Sequence, residues 1–342
     1  MRITRSTRLR GFFALVLFLL IASTQTAPAQ QRLSAEQVGP IGDPTGRIAF
    51  VRSGSIWVMK VDGSAQQKVT DVSNADGRLS FSPDNRRIVF TRSGEVDLRG
   101  PDMLGGKHKV YDLFMAYLDS LDAGNSMWWM RITDDLGSRD PEWLPDGRII
   151  FTKDMNANLV NAAMPNYQIV VSNDEGGSQE LLRKDWQNMS EFLMNPTVNP
   201  KTGDIAFVHF FELKPQGIAV LNEERFMAPL DSIRKVSTAN NKRVAPSFSP
   251  DGKWLAYVYN DMNKAGIYIT TPDLKEHYLV WSPPVNVYPR SLAPSFSPDS
   301  KWLTFATTDG SIWICDITGN QARRITVPGS DSAPAWSKAP KK

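Results

Sequence analysis

The stretch Pro246–Thr271, PSFSPDGKWLAYVYNDMNKAGIYITT, returns 48 residues later at Pro294–Gly319 as PSFSPDSKWLTFATTDGSIWICDITG. A unit of this length recurring within one chain signals a repeat architecture. The two copies define a pattern: Pro-x-aromatic-Ser-Pro-Asp-(Gly), a strand, a loop, a second strand, a turn and a last strand that often ends in Thr. Four further copies follow it: LSFSPDNRRIVFTRS with Phe81, PEWLPDGRIIFTKD with Trp143, PTVNPKTGDIAFVHF with Val198 and APAWSK with Trp336. With Phe248 and Phe296 the chain carries six such anchors.

Each unit holds short apolar or alternating runs rich in β-branched and aromatic residues, which read as strands. RIVF, RIIF, DIAFV, WLAYV and WLTFA follow the anchors, each reached through a Pro-Asp-Gly-like turn suited to a tight hairpin. A second run follows (DLFMAYL, YQIVVS, GIAVL, GIYIT, SIWICD), and then a closing one (KVT, RIT, ELLR, KVS, YLVW, RIT). Four short strands per unit predict a propeller blade.

The ends of the repeat region decide how the ring closes. The first unit, from Arg47, has three strand runs and no anchor before them, whereas the last, SAPAWSK, is an anchor with no strand run after it. One completes the other. The expected fold is therefore all-β: a six-bladed β-propeller, over 47–338, in which the C-terminal strand finishes the N-terminal blade and no sheet edge is left open at the seam.

Residues 1–29 read as a secretory signal peptide: four arginines and no acid in Met1–Arg10, an apolar run from Gly11 to Ala22, and small residues at Ala27-Pro28-Ala29. That apolar run is short of the roughly 20 residues a spanning helix needs, so no membrane span is expected after cleavage. Cleavage removes four of the 39 basic residues and none of the 36 acids, taking the formal charge from +3 to about −1. Nothing in that balance suggests nucleic acid as a partner. Cys315, the only cysteine, lies in an apolar run and reads as a buried small hydrophobe. Residues 30–46 form an N-terminal linker, with a flexible tether and a docking peptide both open, and 339–342 form a tail.

These repeats resemble the propeller of the TolB family, WD40-like (PD40) units with a Ser-Pro-Asp-Gly core that also occur in prolyl oligopeptidases. The resemblance covers Arg47–Lys338 and implies the fold more than a function. It is expected to stop at the propeller, since Gln30–Gly46 leaves no room for the α/β domain of TolB and no hydrolase domain is seen after the ring. The partners of that family, Pal and TolA among them, are therefore not carried over.

The sequence offers little catalytic chemistry. Asp84, Asp146, Asp251 and Asp299 recur at one position of successive units, as turn formers do and a single active site does not. The three histidines, His108, His209 and His277, show no metal-ligand spacing. His108 and His209 are the one pair read as able to meet. Gly-x-Ser-x-Gly, Gly-x-x-x-x-Gly-Lys and Gly-x-Gly-x-x-Gly are all absent. No cofactor is expected.

The extra length of the chain is more telling. In a four-stranded blade, the loop between the second and third strands and the blade-to-blade linker open on one face of the disc, and the other two turns open on the opposite face. Ser93–Val110, Asp154–Asn166, Phe210–Gln216 and Tyr259–Ala265, with linkers Lys184–Met194 and Ser282–Ser291, crowd the first face over blades 2 to 5. Loops on a rigid scaffold commonly carry recognition. The expected contacts there are Arg99, Asp102, Lys107, His108, Asn156, Asn158, Asn161, Tyr259, Asn260 and Asp261, with Trp186, Phe192 and Tyr288 as aromatic anchors. His209 belongs to the same group. Arg139, Arg243 and Arg290, near the channel mouth with Arg78, are expected either to attract an acidic peptide terminus or to pair with Asp76, Asp140 and Asp331.

Together these features point to an exported, monomeric, non-catalytic scaffold of the periplasm or cell exterior that binds a protein or peptide of the cell envelope through the long-loop face and channel mouth. Two alternatives stay open: a propeller enzyme of polysaccharide-lyase or hydrolase type using His108 or His209 with a metal, and a carbohydrate-binding module using Trp186 and Tyr288.

Overall fold

The computed structural model describes residues 31–97, 106–119, 127–157, 165–182, 191–212, 214–222, 242–261 and 264–339. Its strands fall into six sheets arranged as blades. Blade 1 takes β1 (Arg47–Arg52), β2 (Ser55–Lys60) and β3 (Gln67–Lys68). Blade 2 is β4 (Ala75–Phe81), β5 (Arg87–Asp97), β6 (Lys107–Tyr117) and β7 (Trp128–Arg131). Blade 3 is β8 (Ser138–Trp143), β9 (Ile149–Asp154), β10 (Tyr167–Ser172) and β11 (Glu180–Leu181). Blade 4 shows β12 (Glu191–Val198), β13 (Ile205–Phe211) and β14 (Lys214–Leu221), and its expected closing run KVS lies outside the described residues. Blade 5 is β15 (Arg243–Phe248), β16 (Leu255–Tyr259), β17 (Gly266–Thr270) and β18 (His277–Trp281). Blade 6 is β19 (Ser295–Phe296), β20 (Trp302–Ala306), β21 (Ile312–Asp316) and β22 (Ala322–Arg324).

The last strand, β23 (Ser332–Trp336), pairs antiparallel with β1 and supplies the innermost strand of blade 1, with Trp336 opposite Ile48. The ring closes as the incomplete ends of the repeat predict. All six anchors end an innermost strand, and four of them stand two residues after a proline at a kink in that strand. Left-handed backbone at Asp140, Asn195, Ala245 and Ala333 (φ 54°, 53°, 54° and 48°) sits just before Pro141, Pro196, Pro246 and Pro334, where the ladder skips register. The innermost strand faces the channel with one edge, so a proline there removes no ladder donor, and the bulge bends the strand toward the next blade.

The residue just before the anchor explains how blades lock together. The Trp143 N–H donates to Ser80 Oγ (3.0 Å), Phe248 N–H to Thr197 Oγ1 (3.2 Å) and Trp336 N–H to Ser295 Oγ (2.9 Å). Glu142 takes the same place between blades 3 and 4, accepting from the Val198 N–H at 3.3 Å. The seam between blades 6 and 1 is thus stitched in the same way as the covalently continuous joints. The closing Thr also has a use: Thr70, Thr133 and Thr326 each accept an N–H of the third strand, from Ile56 (3.1 Å), Leu113 (2.9 Å) and Ile312 (2.9 Å).

The core lies between blades. Phe81, Phe90 and Phe114 face blade 1, where they pack with Ile56, Val58 and Ala335. Trp143 packs with Val89, Met115 and Phe151 between blades 2 and 3. Cys315 is fully buried with Phe305 and Val280, and burial pushes its thiol well above the usual range, which suits an inert hydrophobe.

Residues 31–46, left open by the sequence, lie against the ring. The Gln31 carbonyl accepts from the Leu279 N–H at the outer edge of blade 5 (2.9 Å), and Leu33 is 4% exposed among Tyr278, Val280 and Ile317. A capped turn, α1 (Ala35–Val38), follows. The Pro40 carbonyl then accepts from Lys301, Gly42 from Trp302 Nε1 (3.0 Å) and Thr45 from Trp336 Nε1 (2.8 Å). This strap crosses blade 6 on the turn face and delivers the chain to the seam.

Candidate binding face and channel

The turn face is closed on itself. Ser82, Ser249 and Ser297 donate to Asp84 (2.5 Å), Asp251 (2.6 Å) and Asp299 (2.5 Å), and each aspartate also accepts the N–H two residues on, at 3.1 Å. Asp146 repeats this with the Arg148 N–H (2.9 Å) and side chain. Burial tends to raise the Asp84 and Asp146 carboxyls, but the hydrogen bonds from Ser82 and Arg86, and from Arg148, outweigh it and leave both below the usual range. These aspartates hold turns.

The opposite face is more regular than the sequence suggested. Ser93–Val110 is not a wholly irregular loop: β5 and β6 keep pairing as far as Asp97 opposite Lys107, so Lys107 and His108 stand on an exposed hairpin arm, with Lys107 Nζ 3.6 Å from Glu95. An antiparallel ladder needs only backbone pairing, and a two-sided polar hairpin carries no apolar alternation by which to announce itself. Within Phe210–Gln216, β13 and β14 likewise keep pairing as far as Phe211 opposite Lys214. Arg99, Asp102, Asn158, Asn161 and Trp186 lie outside the described residues. Asn156 is half-buried, its N–H on Asp154 Oδ1 at 3.0 Å.

Three expected contacts are interior instead. Tyr259 is 4% exposed and packs edge-on against Tyr268 (5.6 Å). Phe192 is buried in β12, edge-on to Tyr167. His209 is 0% exposed and hydrogen-bonded to the buried Glu191 carboxylate. All three lie inside the paired ladder, in stretches of β16, β12 and β13 that are buried on both faces between neighbouring blades, although the sequence leads one to expect Tyr259 and Phe192 in a loop and a linker and His209 at a strand end. His108 and His209, on blades 2 and 4, are not brought together, and the described residues contain no group of three or more His, Cys, Asp or Glu that could hold a metal.

A second group of the expected contacts lies round the linker from blade 5 to blade 6. Asn260 donates to Ser291 Oγ (3.0 Å), and Tyr288 is 39% and Val285 88% exposed. Two clefts adjoin at Tyr288 and Ala265: one runs past Lys264, Pro283 and Asn286, the other past Asn260, Arg290 and Thr308. Pro283, Pro284 and Pro289 stiffen the linker between them.

The mouth arginines are mostly engaged. Arg139 pairs with Asp140 (2.9 Å) and lies over the Tyr111 ring (4.6 Å), and the adjacent Asp140 charge pushes it further into its protonated range. Arg290 Nε donates to the Thr307 carbonyl (3.1 Å). Arg243 lies over Tyr257 (5.7 Å). Of the expected acids, Asp140 pairs with Arg139 itself, Asp76 goes to Lys109 (2.7 Å) and Asp331 to Arg52 (2.7 Å). Arg78 binds Glu142 across blades and donates to the Pro196 carbonyl (2.7 Å).

Six blades of antiparallel strands, a C-terminal strand completing the first blade and Ser-x-Asp hairpins on one face define a closed propeller scaffold. The chain belongs to the PD40 family, described as the TolB beta propeller domain, whose family model matches residues 146–342. No curated protein matches the chain. Among solved structures it is similar to TolB from Acinetobacter baumannii, at 17% identity and TM-score 0.63, over 89% of this chain and 70% of that one. The putative TolB from Agrobacterium tumefaciens matches at 12% identity and TM-score 0.56, over 83% and 90%. The tricorn protease matches at 17% identity and TM-score 0.58, over 84% of this chain but 27% of that one. At these identities the likeness shows the fold alone. Among the described residues no helix is long and apolar enough to cross a membrane.

Proposed function

We propose that the protein is an exported, non-catalytic scaffold of the cell envelope whose long-loop face takes a protein or peptide partner. The observation that carries this reading is the pair of clefts meeting at Tyr288, with exposed Val285 beside them, on the face that the repeat does not use for its own turns. An apolar and aromatic centre rimmed by Asn260, Lys264 and Arg290 has the composition of an interface hot spot. On the opposite face the repeated turns and the strap satisfy one another by internal hydrogen bonds. Export rests on the leader-like residues 1–29, and a periplasmic setting is suggested by the similarity to TolB propellers.

The test is capture of envelope proteins on immobilised wild type, on Val285→Asp/Tyr288→Ala, and on a turn-face control, Asp273→Asn. Loss of a hot-spot contact weakens binding by about tenfold or more, so the same bands should fade with the double variant and persist with the control. Equal capture by all three proteins removes this face from the function. Analysis of the mature N-terminus in the expressing cell tests export.

A further inference from the structure

The central channel carries a charge that the fold does not neutralise. Lys338 follows the closing strand, and its backbone is clamped to the turn of blade 2: its N–H donates to Asn85 Oδ1 (2.7 Å) and its carbonyl accepts from Asn85 Nδ2 (3.0 Å). The side chain is thereby aimed into the channel, where it lines a cavity of ≈ 60 Å³ with Arg78, Glu142, Ser247 and Ser295. No carboxylate among the described residues forms an ion pair with its ammonium. Glu142, the one acid lining the cavity, is taken: Arg78 binds Oε2, and Oε1 accepts from Thr197 Oγ1 (3.1 Å) and the Val198 N–H (3.3 Å). Enclosure lowers the Lys338 pKa; Glu142 works against this and Arg78 adds to it.

The other side-chain groups around the cavity are donors as well. Ser80 and Ser295 each use their oxygen to accept the N–H of the next blade's anchor, at 3.0 and 2.9 Å. A hydroxyl that accepts in this way still has its proton to donate. Ser247, 7% exposed, lines the same cavity. Arg78 keeps N–H groups beyond those given to Glu142 and Pro196. A lumen with two cations, one fully engaged carboxylate and several hydroxyl protons has the complement of an anion, because a partly desolvated ammonium is stabilised by a negative charge that meets it.

We propose that the turn-face end of the channel is an anion site in which Lys338, supported by Arg78 and the Ser80, Ser247 and Ser295 hydroxyls, holds a single carboxylate. The cavity has room for a carboxylate head and not for a folded segment. Two sources share this chemistry: a small free carboxylate, and the C-terminal carboxylate of a peptide threaded from the long-loop face. The site stands whether or not that face binds a protein, since it is defined at the other end of the ring.

The probe is ¹³C-formate, titrated into the full chain and followed by NMR line broadening at constant ionic strength. Saturable broadening is expected for wild type and for Lys338→Arg, with at least tenfold weaker binding for Lys338→Met, which keeps the length of the side chain and loses the charge. Lys338→Met should melt no lower than wild type, because it removes a half-buried cation that has no ion-pair partner among the described residues and lies near Arg78, so loss of binding will not reflect misfolding. Absence of saturable binding to wild type, or unchanged binding to Lys338→Met, overturns the proposal. A short peptide with a free C-terminus that displaces formate while its amide does not assigns the peptide source, and failure of both peptides to displace it assigns the free carboxylate.

Discussion

The two faces of the ring are built on opposite rules. On the turn face, blade after blade repeats one solution, a serine and an aspartate two residues apart closing a hairpin, and the strap of residues 31–46 covers part of what is left. On the other face the described connections differ from blade to blade over blades 2 to 5: a hairpin arm at Lys107, a left-handed turn residue at Glu212, an internally bonded loop end at Asn156 and a proline-stiffened linker at 282–291. Repetition marks the parts that hold the wheel together. Departure from it marks the parts free to recognise something, because a residue that must satisfy its neighbours' backbone groups is not available to a partner.

If the wheel depends on the repeated parts, the seam is where failure should be greatest. Truncation before Ser332 removes β23, leaves β1 with an unpaired edge and exposes Ile48 and Phe50, which are now fully buried. The truncated protein should lose its cooperative melt or unfold many degrees lower by calorimetry. A melt matching the full chain would show that closure contributes nothing. Next in size is Trp336→Ala. The ring is 2% exposed and its Nε1 donates to Thr45, so the change leaves a cavity at the seam and should cost about 3–5 kcal/mol in denaturant titration.

A smaller effect is expected one blade pair away. Glu142→Gln keeps the shape but discharges a carboxylate that serves Arg78, Thr197 and the Val198 N–H at once. Leaving the largely buried Arg78 uncompensated should cost about 3 kcal/mol. It should also tighten formate binding in the channel, a readout that a purely structural loss would not give.

The pH dependence has a definite sign. Burial, then the nearby Arg243 charge, hold His277 down to about 4, so it stays neutral in the fold, where its Nδ1 shares a hydrogen bond with Tyr257 Oη at 3.0 Å. The unfolded chain protonates near 6.5, so it binds the proton that the fold excludes. Stability should therefore fall as pH drops from about 6.5 to 4. In His277→Gln that part of the slope should vanish. Below it, the turn aspartates act in the same direction: Asp273, held at about 2 first by Thr271 and then by Lys275, favours the fold above the ordinary carboxylate range and loses this as pH falls toward 2.

Much of the scaffold could be read from the chain because a repeat overdetermines its own answer. Six anchors and two complementary ends leave little choice of closure, and the turn aspartates betrayed their role by recurring. The site was less legible. Tyr259, Phe192 and His209 sit near strand ends, where one or two residues of added ladder decide between interior and loop, and sequence carries no marker of that choice. The strap was unreadable because its contacts are mainly backbone carbonyls at Pro40, Gly42 and Thr45, which any residue supplies. Lys338 reads in the sequence only as the last residue of the repeat region; the clamp on Asn85, contributed from a different blade, turns it inward.

The smallest effect is the one that tests the contrast between faces most directly. Val285, 88% exposed, has almost no apolar surface to lose on unfolding, and the linker around it is fixed by prolines and by Tyr288 N–H to Thr308 Oγ1 (3.1 Å), not by the valine side chain. Val285→Asp should leave stability within about 0.5 kcal/mol. Asp84→Ala, at a position equally surface-lying but on the turn face, removes two internal hydrogen bonds and should cost about 1 kcal/mol. The two substitutions reverse in a binding assay: Val285→Asp places a charge in the apolar centre of the clefts, whereas Asp84→Ala touches nothing a partner would reach. A chain in which both changes affected folding alike would mean that the long-loop face is also structural, and that its irregular connections carry packing and not recognition.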